Sequence, residues 1–142
     1  MKALNKYIDH TNLKPFTTKT DIEKLCADAR KWNFASVCVN PCDIALAKEL
    51  LAGSDVMTCT VIGFPLGRNT TAIKVAETED AYALGCDEFD MVINVGKLKD
   101  GCVDYVRDDI AAALLVDGVT KLEKIPLSTD VTDQSDEKLE MQ

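Results

Sequence analysis

Short apolar runs of strand type alternate with helix-period segments four times in the first 118 residues, and this alternation limits what the chain can fold into. The strand-type runs fall at residues 6–12, 35–40, 56–64 and 88–95. The first helix is predicted from about Thr20, with Thr20 and Glu23 as a capping box. Ile22, Leu25, Cys26 and Ala29 then recur at i, i+3, i+4 and i+7, which is one apolar helix face. Asn40 suits an N-cap and Pro41 the first position of a second helix, whose face is Ile44, Ala47, Leu50 and Leu51 and whose stop is Gly53. Phe64-Pro65-Leu66-Gly67 is a turn signal, and a third helix follows over 70–84. A loop is predicted over Gly96–Gly101, with a fourth helix marked by Val103, Val106, Ile110 and Ala113. Strands separated by helices in this way pair in parallel through βαβ units.

Four βα units occupy residues 1–118, whereas a closed eight-unit barrel takes about 250. The predicted fold class is therefore α/β, parallel βα repeats forming half to five-eighths of a TIM barrel. The alternative is a small open α/β sheet of the same length. Residues 119–142 differ from the repeats before them. Lys121–Thr129 sits where a fifth strand belongs, but Pro126 cannot donate to a ladder. Residues 130–142 hold five acids and one lysine, and a short helix or frayed acidic tail is expected.

A net charge of -8 argues against nucleic acid, whose phosphates require clustered Lys and Arg. No apolar run approaches the length of a membrane span, and the first nine residues show no signal-peptide h-region, so a cytoplasmic protein is expected. The six cysteines contain no CxxC pair, and His10 is the one histidine. No metal site, no cofactor and free thiols in a reducing compartment are the corresponding expectations. Neither GxGxxG nor a Walker A sequence is present, and Gly63, Gly67, Gly85 and Gly96 are isolated turn glycines.

The chemistry-bearing residues follow from strand parity, because successive side chains point to opposite faces. On the fourth strand Phe89, Met91 and Ile93 would pack under helices, which turns Glu88, Asp90, Val92 and Asn94 to the interior. An interior carboxylate needs a hydrogen-bond or cationic partner, and such groups serve general acid/base work. Asp90 is the leading candidate. Glu88, with Asp87, is more simply the solvated start of the strand. Tyr7, Asp9 and Thr11 share one face of the first strand, and Ser36, Cys38 and Asn40 one face of the second. Cys38 is more simply a small buried thiol. His10, out of parity with Asp9, is expected to pack or cap.

Four stretches together are similar to deoxyribose-phosphate aldolases: Tyr7-Ile-Asp-His-Thr-Asn-Leu-Lys-Pro15, Ser36-Val-Cys-Val-Asn-Pro41, Val61-Ile-Gly-Phe-Pro-Leu-Gly67 and Asp87-Glu-Phe-Asp-Met-Val-Ile-Asn94. The resemblance runs over about residues 4–118 and fades past Val119, and it places the family's fifth-strand acid near Ser128. It implies a metal-free class I aldolase on a TIM barrel. Such an enzyme cleaves 2-deoxyribose 5-phosphate reversibly to glyceraldehyde 3-phosphate and acetaldehyde, in deoxyribonucleotide catabolism. Asp90 would then be the catalytic proton-transfer residue, with Asp9, Thr11 and Cys38 in supporting positions.

The resemblance also implies a Schiff-base lysine on a sixth strand and a second lysine on a seventh. Neither motif is in this sequence, and the chain alone is expected to be inactive. Lys14 and Lys97 are the lysines nearest the expected active face. A phosphorylated sugar is the expected ligand of a completed barrel. No membrane partner is expected. An open half-barrel would self-associate or take up a complementing C-terminal half. The remaining alternative is a non-catalytic interaction protein.

Overall fold

The structure, a computed structural model, describes residues 3–116 and the backbone of 122–124. Five strands form one parallel sheet: β1 (Asp9–Asn12), β2 (Ser36–Val39), β3 (Met57–Ile62), β4 (Glu88–Met91) and β5 (Leu122–Lys124). They lie side by side in chain order, with no reversal. A doubly wound open sheet reverses its strand order at a switch point. A barrel does not, because each right-handed crossover steps the same way and lays its helix on the same face. The open-sheet alternative is thus set aside, and the fold is a partial TIM barrel. Ser128, Pro126 and the acidic residues 130–142 lie outside the described residues.

The helices are α1 (Lys19–Trp32), α2 (Ile44–Leu50), α3 (Thr71–Ala83), α4 (Val95–Lys99) and α5 (Val103–Leu114). The main core lies between them and one face of the sheet. Val37, Val39, Ile62, Phe89 and Met91 from the strands meet the predicted α1 face, Ile22, Leu25, Cys26 and Ala29, and Ile44, Ala47 and Leu51 around α2. Every residue of β2 is buried, as a parallel strand covered on both faces requires. Among the described residues no helix is long and apolar enough to cross a membrane.

Local structure departs from the sequence reading where side chains compete for the backbone. The first strand begins at Asp9, not residue 6, because Leu4–Tyr7 form a 3-10 turn. Asn5 donates to the Trp32 and Asn33 carbonyls, and Lys6 to Asn33 and the Phe34 carbonyl, which fixes that turn on the end of α1. Tyr7 is consequently exposed and does not share a strand face with Asp9 and Thr11. The α1 capping box uses Thr18 and Asp21 rather than Thr20 and Glu23. The Asp21 carboxylate accepts from both the Thr18 N–H and hydroxyl, at 2.9 and 2.7 Å. Asn40 precedes a 3-10 turn, Pro41–Asp43, and α2 begins only at Ile44.

The predicted loop at Gly96–Gly101 contains most of α4. Asn94 caps that helix by accepting from the Lys97 N–H, which helps draw the chain off the ladder after Met91. The Arg68 guanidinium lies over Gly96, where a Cβ would come within 2.6 Å of its end and the arginine would have to swing aside. In α5 Val103 is exposed, and Asp109 is buried beside Val106 and Ala113.

Asp109 is buried for a partner. Its carboxylate meets the Lys74 ammonium at 2.6 Å, and both side chains are almost wholly excluded from solvent. Lys74 also donates to the Val92 carbonyl, and Thr71 to the other Asp109 oxygen. This network joins α3, α5 and the end of β4.

Two stability predictions follow. Replacing Thr18 by Ala should cost about 1 kcal/mol in urea unfolding, through the lost cap. Its hydrogen bonds hold the Asp21 carboxyl below the ordinary value of 3.8. The carboxylate part of the cap is then complete above that value and lost as pH falls through the lowered one, while the Asp21 N–H bond to the Thr18 hydroxyl does not titrate, so the gap between T18A and the parent should narrow in acid. Replacing Asp109 by Ala strands a buried ammonium and should cost about 3–5 kcal/mol, while K74M/D109L should recover most of that loss. Equal urea midpoints for the single and double variants would contradict it.

Candidate active site

Strand register brings the predicted polar residues onto one face. Asp9 lies beside Ser36, Thr11 beside Cys38, Cys38 beside Cys59, and Val61 beside Asp90. This is the face opposite the helices. Cys38, Cys59 and Val61 are buried on it, and Leu13, just past β1, packs against them. The Ser36 hydroxyl donates to Asp9 Oδ1 at 2.7 Å, and the Thr11 hydroxyl to the Asp9 carbonyl at 2.8 Å. Cys38 Sγ donates to Asp90 Oδ2 at 3.9 Å.

The structure therefore groups Asp90 with Cys38, and Asp9 with Thr11 and Ser36, along the inner sheet face. His10 points the other way and packs against the Phe34 ring, centroids 5.3 Å apart. Asp87 fits a strand start, pairing with Lys48 and accepting from the Thr58 N–H. Glu88 does not fit that reading: it is buried, because it faces inward one residue further on. Cys59 was missed by sequence reasoning, although the alternation used for the other strands selects Cys59 and Val61 when applied to β3. Lys74 was missed for lack of a signal, since lysine on a helix is ordinarily solvated.

The Cys59 thiol is not activated. The hydrogen bond to Cys38 and then burial push the Cys59 thiol far up, and the charges of Cys38 and Asp90 add to this. Burial likewise raises Cys86 to about 12 and Cys26 to about 11. A thiol held protonated is a poor nucleophile, which argues against Cys59 as one.

The lysines near the active end are engaged elsewhere. Lys14 Nζ sits 6.0 Å from the Phe16 ring centroid and Lys97 Nζ 5.7 Å from that of Tyr105. Lys74 is on the helix side with Asp109. A cavity of about 300 Å³ lined by Lys48, Gly53, Asp55, Met57 and Asp87 opens at the amino ends of β3 and β4, away from the carboxyl ends where barrel sites are built.

At those carboxyl ends the loop after β3 is pressed against the chain leaving β4. Gly67 has a φ of 65°, and a Cβ on it would collide with the Ile93 carbonyl. A side chain there is excluded by both conformation and space. The Gly63 N–H donates to Glu77 at 2.7 Å, tying the same loop back to α3.

No family model matches the chain. Individual proteins do. A deoxyribose-phosphate aldolase of Streptococcus suis is 57% identical over 122 residues, which cover 86% of this chain and 55% of that protein. One of Clostridium perfringens is 53% identical over 128 residues, covering 90% and 57%. A solved structure assigned as a deoxyribose-phosphate aldolase from Coccidioides immitis superposes with a TM-score of 0.82 at 36% identity, over 85% of this chain and 48% of that one. The chain thus spans about half the length of the relatives it matches. With sequence and strand order in agreement, the chain belongs to the deoxyribose-phosphate aldolase family.

Proposed function

We propose that this chain contributes the Asp90 side of a class I aldolase site acting on 2-deoxyribose 5-phosphate, and that the Schiff-base lysine comes from polypeptide outside it. The observation that carries the reading is the placement of Asp90. Its carboxylate sits on the inner sheet face against Cys38, in a wall of buried side chains, near the carboxyl end of a central strand.

The chemistry needs one group of each kind. A lysine amine condenses with the sugar aldehyde and loses water. The iminium takes up the electron pair as the bond between carbons two and three breaks. A base accepts the proton of the carbon-three hydroxyl, which releases glyceraldehyde 3-phosphate. Protonation and hydrolysis of the remaining enamine then free acetaldehyde and the lysine. Asp90 is the proton carrier in this scheme. Asp9, Thr11 and Cys38 support the face on which the sugar lies. Among the described residues the sheet remains open, with β1 at one edge and β5 at the other, which is the geometry a complementing C-terminal half would close.

Borohydride trapping with 2-deoxyribose 5-phosphate, read by intact mass, tests this. The chain alone should form no adduct, and addition of a lysine-bearing second half should give one on that half together with aldol cleavage. Asp90→Asn should lower cleavage in the completed barrel by about 100-fold or more while trapping persists. An adduct mapped to a lysine of this chain, or full activity in D90N, would overturn the proposal.

A further inference from the structure

Cys38, Cys59 and Asp90 come from three adjacent strands, and one ligand atom of each lies within 4.8 Å of the others. Among the described residues this is the trio of His, Cys, Asp or Glu that closes so tightly. We propose that it is a site for one thiophilic divalent cation of the zinc class, held by two thiolates and a carboxylate with its fourth position open. The proposal shares Asp90 with the aldolase reading but is tested by ion binding to this chain alone, so either can fail without the other.

The geometry is close to what such an ion requires. A tetrahedral zinc with sulfur at ~2.3 Å and oxygen at ~2.0–2.2 Å spaces its ligand atoms by ~3.5–3.8 Å. Cys38 Sγ and Asp90 Oδ2 are already 3.9 Å apart. The Cys38 and Cys59 positions are set by the β2–β3 ladder, in direct register, so neither depends on a loop. Cys38 and Cys59 are buried in one cluster with Val61, and Leu13 packs against it. Two sulfurs and one oxygen select a soft or borderline cation over magnesium or calcium.

On binding, each thiol loses its proton to solvent and forms a metal–sulfur bond, so one divalent ion displaces two protons. The other cysteines are outside the trio: Cys26 and Cys86 belong to the helix-side core, and Cys42 and Cys102 are exposed. The expectation of no metal site rested on the lack of CxxC and of histidine partners, and a trio drawn from three strands escapes any spacing rule. Occupancy would engage the carboxylate assigned to proton transfer, so the ion would compete with the aldol step.

The test is calorimetric titration of the reduced chain with zinc alone, in a C42S/C102S background that removes the exposed thiols. One ion per chain and two protons released per ion are expected. Cys59→Ala should weaken binding more than about 100-fold, beyond the ~10–100-fold cost of losing a supporting partner, and D90N should also weaken it. Zinc-edge X-ray absorption on the same background should show two sulfurs in the first shell, which decides the matter even if C59A does not fold. Unchanged affinity in C59A or D90N, or a shell with fewer than two sulfurs, would overturn the site.

Discussion

A lysine and an aspartate with almost no exposure meet at 2.6 Å between α3 and α5, and much of the carboxyl end of the sheet is arranged around them. Two charges removed from water are tolerated only when their hydrogen-bonding capacity is met. Lys74 meets this through Asp109 and the Val92 carbonyl, and Asp109 through Lys74 and Thr71. The Val92 carbonyl lies just past β4, two residues from Asp90. The pair on the helix side thereby helps fix where the candidate catalytic carboxylate on the other side emerges. Gly63 belongs to the same arrangement: an added Cβ would sit 2.9 Å from the Lys74 side chain, so the lysine's course limits the β3 loop as well.

The two sheet faces divide the work. The helix side carries the large aliphatic and aromatic residues, and the inner side carries hydroxyls, thiols and carboxylates. A small sheet of this kind gains most of its stability from the first face and is free to vary the second. Cys38, Cys59 and Val61 at the middle of the inner face are nevertheless buried, with Leu13 packed against them, whereas Asp9 and Thr11 at the β1 edge are exposed. The hydrogen bond to Cys38 and burial hold the Cys59 thiol protonated on this face.

The order of elements and the α1 face were legible in the sequence, because burial of an amphipathic helix on a sheet leaves a 3.6-residue trace that Ile22, Leu25, Cys26 and Ala29 display. Parity placed Asp90 and Cys38 on the inner face for the same kind of reason. Exact boundaries were less legible. The run Thr17-Thr18-Lys19-Thr20-Asp21-Ile22-Glu23 offers two capping boxes of equal quality, and no local rule separates them. α4 was hidden because Gly96 is ordinarily a helix breaker, and the helix is held instead by the Asn94 cap. α3 was read correctly as a helix, but its buried face is Lys74, Thr78 and Ala81, while Ile73 is half exposed. Hydrophobicity cannot reveal a face organised by an ion pair whose partner lies on another helix.

The uninterrupted strand order also bears on how the chain comes together during synthesis. Each strand pairs with the strand made just before it, through a crossover of one α-helix, or of two, α4 and α5, between β4 and β5. Contacts are therefore local along the sequence, and a growing chain can dock each βα unit onto the last without waiting for distant segments. Topologies of this kind pay little loop-closure entropy at any one step. A polypeptide of this pattern can accumulate native structure vectorially from the ribosome, unit upon unit.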